Sequence, residues 1–324
     1  YPDVMHSFAL HARQKPPGMI LFYYAVLKLF PTSASIVGGL ILGFISTLAV
    51  PATYLLARQM TGGDRNASFA AASYLSLCPA LVLFYPSFDI CFPLLTCAIL
   101  GFWIAAMRPG AKMFWALATG AVLSLAAFMT YNLLTLGAFM VLAALWQIRT
   151  EGTAAMRRFL IISAAAGAVV VALYAILYLA TGFNPVATFL AAVRNQRWME
   201  ENFFRLPRPW PQTIPGDLYD FLLGSAWISL PLLVMGLLRL ARNRTSESAS
   251  SGLIVLGVIQ ILIVALSGLL RVETSRVWAF MQPLVMIPIG YELARWPPGP
   301  RRLVFFCVWL ATAAINQNMT FLLG

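Results

Sequence analysis

Apolar segments long enough to cross a bilayer recur from one end of the chain to the other, and this feature constrains the fold most. A membrane-spanning helix needs about 20 consecutive, mostly apolar residues. Of the 324 residues, 60% are hydrophobic and only 10% are charged, whereas a soluble domain carries about 25% charged residues. Because so few charges cannot build the polar surface of a soluble domain, the sequence predicts an all-α, polytopic membrane protein.

The lengths of these segments predict a transmembrane helix bundle with about ten spanning helices. The predicted spans are 33–60, 66–86, 89–107, 111–130, 132–149, 157–181, 217–240, 252–269, 277–295 and 302–322. A further stretch, Pro17 to Phe30, reaches only about 21 Å at about 1.5 Å per residue, and Lys28 interrupts it. We expect this stretch to form a juxtamembrane or re-entrant helix within a single domain, 1–324.

Arginine-rich connections alternate along the chain with connections that lack this enrichment. The enriched ones contain Arg58 and Arg65, Arg108 and Lys112, Arg149, Arg157 and Arg158, Arg239, Arg242 and Arg244, and Arg295, Arg301 and Arg302. By the positive-inside rule these connections are cytoplasmic, which accounts for the net charge of +11 without nucleic acid as a partner. We therefore expect a multi-pass protein of the plasma (inner) membrane.

The opposite, extracytoplasmic side receives residues 1–31, two tight corners, the long connection 182–216 and the segment from Arg271 to Arg276. The long connection mixes charges of both signs with aromatic residues, among them Trp198 and Trp210. Aromatic residues are typical of the lipid–water boundary, while long loops in compact proteins are often functional. The connection therefore either lies on the lipid headgroups or covers a substrate.

Ionisable residues at membrane depth are costly and are treated as functional candidates. Asp89 follows a Tyr-Pro-Ser-Phe corner, where it either caps the next helix or holds a sugar hydroxyl or a cation. Arg271, Glu273 and Arg276 form a second group. Glu273 and Arg276 are three residues apart and pair if the segment is helical, or the arginines bind a phosphate through their forked donors.

The N-terminal segment holds a third group, which includes Asp3, His6, His11 and Lys15. The histidine spacing matches no common zinc pattern, so no metal is predicted, although a divalent cation stays open. Asp3 is either a solvated acid or a base that orients a sugar. No phosphate-binding loop, hydrolase elbow or metalloprotease motif occurs, so any chemistry must come from acids at the membrane surface.

Several segments, in order along the chain, resemble GT-C type membrane glycosyltransferases, which include the protein O-mannosyltransferases and the aminoarabinose lipid A transferases. Lys15 to Leu21 reads Lys-Pro-Pro-Gly-Met-Ile-Leu and is similar to the segment after their first external loop. The helix end Tyr54–Met60, the corner Pro86–Asp89 and the segment Glu273–Pro283 are similar as well. These resemble most a bacterial branch related to glycosyltransferase family 39.

The resemblance implies transfer of a sugar from a polyprenyl-phosphate carrier to a glycan, lipid or protein acceptor at the outer leaflet. In the family an acid of the first external loop acts as a base or orients the acceptor, and basic residues hold the lipid phosphate. The candidate catalytic residues are then Asp3 and Asp89, and the candidate substrate and phosphate ligands are Lys15, Arg271, Glu273 and Arg276. The family's first helix has no counterpart after Tyr1, so a catalytic acid upstream of Tyr1 is the alternative to Asp3.

Two other functions remain as alternatives. A transporter or flippase of a lipid-linked or small polar substrate would also be polytopic, but transporters show inverted repeats and charges near the midplane. This chain has its ionisable residues at the predicted helix ends and no convincing repeat. A non-catalytic membrane scaffold is the third hypothesis, and it would be preferred if the first external loop lacked acids.

Overall fold

The computed structural model of the chain describes residues 1–8, 10–202, 210–242, 248–268, 270–271 and 273–318, and this part is helical without strands. Its α-helices are α1 (Pro17–Leu29), α2 (Ala34–Thr47), α3 (Ala49–Met60), α4 (Arg65–Ser76), α5 (Pro79–Leu83), α6 (Phe92–Ala106), α7 (Phe114–Met129), α8 (Leu136–Glu151), α9 (Thr153–Thr181), α10 (Pro185–Asn202), α11 (Ile214–Gly224), α12 (Ser229–Arg242), α13 (Ser248–Ser267), α14 (Thr274–Val277), α15 (Gln282–Leu293) and α16 (Pro298–Asn318). Short 3-10 helices cover Pro2–Ser7, Leu10–Gln14, Phe88–Cys91, Asn132–Thr135 and Ala279–Met281.

The helices confirm the all-α membrane fold but not the number of spans. Within the described residues, five helical segments are long and apolar enough to cross a membrane: Ala34–Met60, Arg65–Leu83, Phe88–Ala106, Asn132–Glu151 and Thr153–Thr181. The apolar helices Pro17–Leu29, Phe114–Met129 and Ser251–Ser267 are shorter. The predicted count of about ten spans is therefore not confirmed, because several predicted spans are occupied by helices below the usual spanning length.

The prediction of one continuous helix over 217–240 is wrong, because α11 and α12 meet at an angle of 97°. Ala226, in the break, adopts a left-handed backbone conformation with φ 79°. Buried side chains satisfy polar groups there: the Cys78 thiol donates to the Gly224 carbonyl (3.1 Å), and the Ser225 hydroxyl donates to Gln282 Oε1 (2.8 Å). Irregular backbone at membrane depth is tolerated where protein groups satisfy it in this way.

Small residues bring the central helices into close contact. At Gly290 on α15, an added β-carbon would lie 2.5 Å from the Ala67 carbonyl oxygen of α4. At Gly236 on α12, it would lie 2.5 Å from the Pro288 carbonyl oxygen of α15. Membrane helices associate largely through such van der Waals packing at small residues. The packing makes α15 a buried helix between α4 and α12.

The two ends of α15 carry different sets of charged contacts. Just beyond its C-terminal end, Arg295 lies 3.8 Å from Asp64. In its last turn, Glu292 accepts hydrogen bonds from Arg239 Nε (2.5 Å) and from the Trp296 indole (2.9 Å). These residues come from connections that the sequence assigns to the arginine-rich side. The candidate residues around Arg276 precede the N-terminal end of α15, so the two sets of connections lie at opposite ends of this helix.

Candidate functional site

Lys15 is held at the start of α1 by its neighbours along the chain and in space. Its carbonyl oxygen accepts a hydrogen bond from the Tyr1 hydroxyl at 2.9 Å. Pro17 occupies the first turn of α1, where the missing amide hydrogen is harmless. Gly18 lies so close to α7 that an added β-carbon would be 2.5 Å from the Phe128 carbonyl oxygen. The Lys-Pro-Pro-Gly segment therefore fixes Lys15 beside the C-terminal end of α7.

Asp89 lies in the 3-10 helix Phe88–Cys91, which aromatic contacts hold against α1. The Phe88 ring is 5.3 Å from that of Phe22 and 5.9 Å from that of Phe92. Within the described chain no backbone amide donates to the Asp89 carboxylate, so the structure does not show the helix cap that the sequence allowed. The carboxylate faces Arg276 instead, with 3.7 Å between Asp89 Oδ2 and Arg276 Nη1.

Arg276 lies between two carboxylates. Besides its approach to Asp89, its guanidinium forms an ion pair and a hydrogen bond with Glu273. The Arg276 side chain is 28% exposed and that of Glu273 is 53% exposed, while that of Asp89 is only 12% exposed. The pairing expected from the spacing of Glu273 and Arg276 is therefore confirmed, and the structure adds Asp89 as a second partner.

Lys15 interacts electrostatically with both Asp89 and Arg276. Burial lowers the pKa of the Lys15 ammonium; the Asp89 carboxylate raises it, and the Arg276 guanidinium lowers it further. These effects require Asp89 and Arg276 to lie within electrostatic range of Lys15. The fold thus gathers two cations and one carboxylate from three distant parts of the sequence.

Asp3 and His6 show no contact with this cluster within the described part of the chain. Asp3 is exposed in the 3-10 helix Pro2–Ser7 and makes no ion pair or side-chain hydrogen bond within the described residues. Arg271 is partly buried on the connection that leads to Arg276. His6 is exposed, and the side chain of His11 lies outside the described residues. In that described part no three His, Cys, Asp or Glu side chains gather as metal ligands.

Two residues of α11, Asp220 through its carboxylate and Asp217 through its backbone carbonyl, contact the turn before Arg276, and the sequence did not predict them. Asp220 Oδ2 accepts hydrogen bonds from the Thr274 hydroxyl (3.0 Å) and the Ser275 amide (2.9 Å). The Thr274 hydroxyl also lies 2.6 Å from the Asp217 carbonyl oxygen. Both acids fall at the start of the predicted span 217–240. Two carboxylates there, each costing about 2.5–3.5 kcal/mol at membrane depth, were the available signal that the span was wrong.

The long connection 182–216 contains an 18-residue helix, α10, that packs on the N-terminal segment. Asn195 donates to the Arg13 carbonyl oxygen at 2.7 Å, and the Arg13 guanidinium lies 5.4 Å from the centre of the Trp198 ring. Met5 is buried together with Ala191 and Ala192 of α10. This contact ties the connection to the segment that ends at Lys15.

A groove of about 560 Å³ lies between the helices and includes one residue next to Asp89 in the chain. Ile90, the neighbour of Asp89, lines it together with Tyr85 and residues of α2, α4 and α5. Apolar side chains such as Val50, Leu75 and Leu81 form much of its wall. The mostly apolar groove is thus connected to the cluster through the backbone of the 3-10 helix Phe88–Cys91, which carries both Asp89 and Ile90.

Comparisons with known proteins identify the fold. No protein-family profile and no curated protein matches the chain. The solved structure of ArnT from Cupriavidus metallidurans bound to undecaprenyl phosphate is similar to 97% of this chain and 57% of that chain, with a TM-score of 0.59 and 14% identity. The apo structure of the same protein gives a TM-score of 0.57 and 17% identity over 95% of this chain and 56% of that chain.

The chain thus spans little more than half the length of the ArnT chains to which it is similar. At this level of identity the similarity shows the fold. The all-α, polytopic fold expected from the sequence is therefore confirmed, and it is similar to the fold of ArnT.

Proposed function

Because the chain has a GT-C-like membrane fold, we propose that it transfers a sugar from a polyprenyl-phosphate carrier to an acceptor on the extracytoplasmic side of the plasma membrane. The observation that carries this proposal is the ion pair of Asp89 and Arg276, with Lys15 within electrostatic range of both. One of the similar ArnT structures contains undecaprenyl phosphate, a ligand with the chemistry that this cluster suits.

Arg276 and Lys15 are the groups that we assign to the lipid phosphate. A guanidinium offers two parallel N–H donors that match two phosphate oxygens, and an ammonium adds a compact positive charge. Asp89 and Glu273 compensate the charge of Arg276 while no phosphate is bound. Arg271 lies on the connection that leads to Arg276, and we keep it as a further candidate ligand of the phosphate.

The groove beside Ile90 is where we place the polyprenyl chain. Its volume of about 560 Å³ and its apolar wall suit several isoprenoid units. A carrier that enters from the membrane would then have its tail among the helices and its phosphate at Lys15 and Arg276. Such a donor requires no nucleotide-binding domain, in agreement with the absence of nucleotide-binding motifs from the sequence.

In the proposed reaction, an acceptor oxygen forms a bond to the anomeric carbon of the sugar while the bond from that carbon to the phosphate oxygen breaks. The polyprenyl phosphate leaves with the bonding electrons, and preorganised cations at Lys15 and Arg276 stabilise its charge. The acceptor proton passes to a carboxylate. We assign this role to Asp89, with Asp3 orienting the acceptor from the exposed N-terminal segment.

The test is a transfer assay on the protein reconstituted in lipid nanodiscs, with undecaprenyl-phosphate-linked sugars as donors and glycan, lipid and protein acceptors in parallel. We expect Asp89→Asn and Arg276→Ala to lower the transfer rate by about 100-fold or more, and Asp3→Asn to lower it less. Asp64→Asn, at the other end of α15, is the matched control. Normal rates in all three site variants would refute the site assignment.

A further inference from the structure

We infer that Asp220 positions Arg276 for phosphate binding by holding the turn that carries it. The inference rests on the proposed function and adds a residue that acts through Arg276. Asp220 lies on α11, far from Arg276 in sequence, and its carboxylate is directed at Thr274 and Ser275.

The turn before Arg276 depends on outside support. Glu273, its first residue, has φ 51°, a left-handed conformation that is uncommon for residues other than glycine. Such conformations persist where surrounding contacts hold them. Asp220 Oδ2 supplies two such contacts, from the Thr274 hydroxyl at 3.0 Å and from the Ser275 amide at 2.9 Å.

One face of α11 is shaped to receive this turn. Gly224, one helical turn after Asp220, lies so close to Ser275 that an added β-carbon would be 2.9 Å from the Ser275 β-carbon. The ring of Phe221 lies 5.5 Å from that of Trp278, and both side chains are buried. The Asp220 hydrogen bonds are therefore part of a close contact and set the position of the turn against α11.

The position of the turn decides where the Arg276 guanidinium lies. The Arg276 amide donates to the Glu273 carbonyl oxygen at 2.9 Å, so the backbone of Arg276 follows that of Glu273. A carboxylate near the first amides of a helix is electrostatically favourable, in agreement with the contacts of Asp220 with Thr274 and Ser275. Within the described residues the Asp220 carboxylate contacts the turn, so we assign it a positioning role and not that of a phosphate ligand.

The experiment is a double-mutant cycle on binding of undecaprenyl phosphate to the purified full chain. We expect Asp220→Ala to raise the dissociation constant about tenfold, as loss of one well-placed charged contact does. Arg276→Ala should raise it at least as much. Because Asp220 acts through Arg276, the double variant should bind no more weakly than Arg276→Ala alone.

Two further variants separate positioning from general damage. Asp64→Ala removes a similar helix cap, the hydrogen bond from the Ala67 amide at 2.9 Å, at the other end of α15, and should leave the dissociation constant unchanged. Asp220→Asn keeps an oxygen acceptor for the Ser275 amide and should retain most of the affinity. If Asp220 only stabilised the fold, we would not expect both that Asp220→Asn retains the affinity and that the effects of Asp220→Ala and Arg276→Ala on the dissociation constant are non-additive.

The outcomes distinguish this inference from the proposed function. Native affinity in Asp220→Ala, or an effect that adds to that of Arg276→Ala, would overturn the positioning role. Native affinity in Arg276→Ala would overturn the proposed phosphate site itself. If Asp220→Ala does not fold, Gly224→Ala replaces it, because its added β-carbon displaces Ser275. Effects of Gly224→Ala and Arg276→Ala that add up in the dissociation constant would also overturn the inference.

Discussion

Arg276 Nη1 lies 3.7 Å from the carboxylate oxygen Oδ2 of Asp89 and joins the connection before α15 to the 3-10 helix before α6. Removing one partner of a partly buried ion pair leaves a charge without compensation, which is unfavourable. Asp89 and Glu273 therefore hold Arg276 while no ligand is bound, and a phosphate can take over that role because the Arg276 side chain is still 28% exposed.

Replacing Arg276 by lysine tests the geometry of the proposed phosphate site. Lysine keeps the charge but lacks the forked donors, so we expect Arg276→Lys to bind undecaprenyl phosphate with an affinity between those of the native protein and Arg276→Ala. Titration of the purified variants measures this order. Arg158→Ala, which removes an ion pair with Glu151 on a predicted cytoplasmic connection, is the control, and equal affinities for Arg276→Lys and the native protein would exclude bidentate binding.

The affinity for the lipid phosphate should fall as the pH rises. Burial lowers the pKa of Lys15, so its ammonium is charged below that pKa and loses its charge as the pH rises through it. Lys15→Arg keeps the positive charge to a much higher pH and should shift the loss of affinity upward. Dissociation constants measured across a pH series for both proteins test this.

Lys28→Arg is the control for the pH series, since Lys28 lies on the exposed side of α1, 5.5 Å from the Tyr24 ring centre. Its pH profile should follow that of the native protein. If the native protein and Lys15→Arg lose affinity over the same pH range, a group other than Lys15 is responsible for the pH dependence.

Removing Arg239 from its contact with Glu292 should destabilise the protein more than removing the charge of Glu292. Glu292 is 1% exposed, whereas Arg239 is 41% exposed. Arg239→Ala therefore leaves a buried carboxylate without its cation and should destabilise by about 1–3 kcal/mol, a value reduced for the exposure of Arg239. Glu292→Gln leaves an arginine that can reach water and should destabilise less. Thermal unfolding in detergent measures the order, and the reverse order would contradict it.

The contact between α4 and α15 should not tolerate a side chain at Gly290. A β-carbon there would lie 2.5 Å from both the Ala67 carbonyl oxygen and the Ala71 amide, so Gly290→Ala must push the helices apart, at a cost of about 1–3 kcal/mol. Gly167→Ala is the matched control, because a β-carbon at Gly167 on α9 meets no atom within 4 Å. Equal thermal unfolding temperatures for the two variants would show that α15 can shift freely.

Much of the candidate site could be predicted from the sequence. Asp89 and the pair of Glu273 and Arg276 stood out because charged residues are rare among the apolar segments, and Lys15 because it precedes a Pro-Pro-Gly start of a short helix. The support from Asp217 and Asp220 could not be predicted in the same way. Both were assigned to a spanning helix, since the apolar residues after them satisfy the length criterion and hide the break at Ala226.

The sequence by itself determined that this is an all-α membrane protein, because hydropathy acts locally along the chain. The arginine distribution likewise predicts which connections share a side. Only the tertiary structure decided that Asp89 pairs with Arg276 within electrostatic range of Lys15, that α11 bends away from α12 by 97° and that Asp220 accepts hydrogen bonds from the turn before Arg276. These features depend on contacts between distant segments, at glycines and buried polar groups, and the local pattern of apolar residues carries no information about such partners.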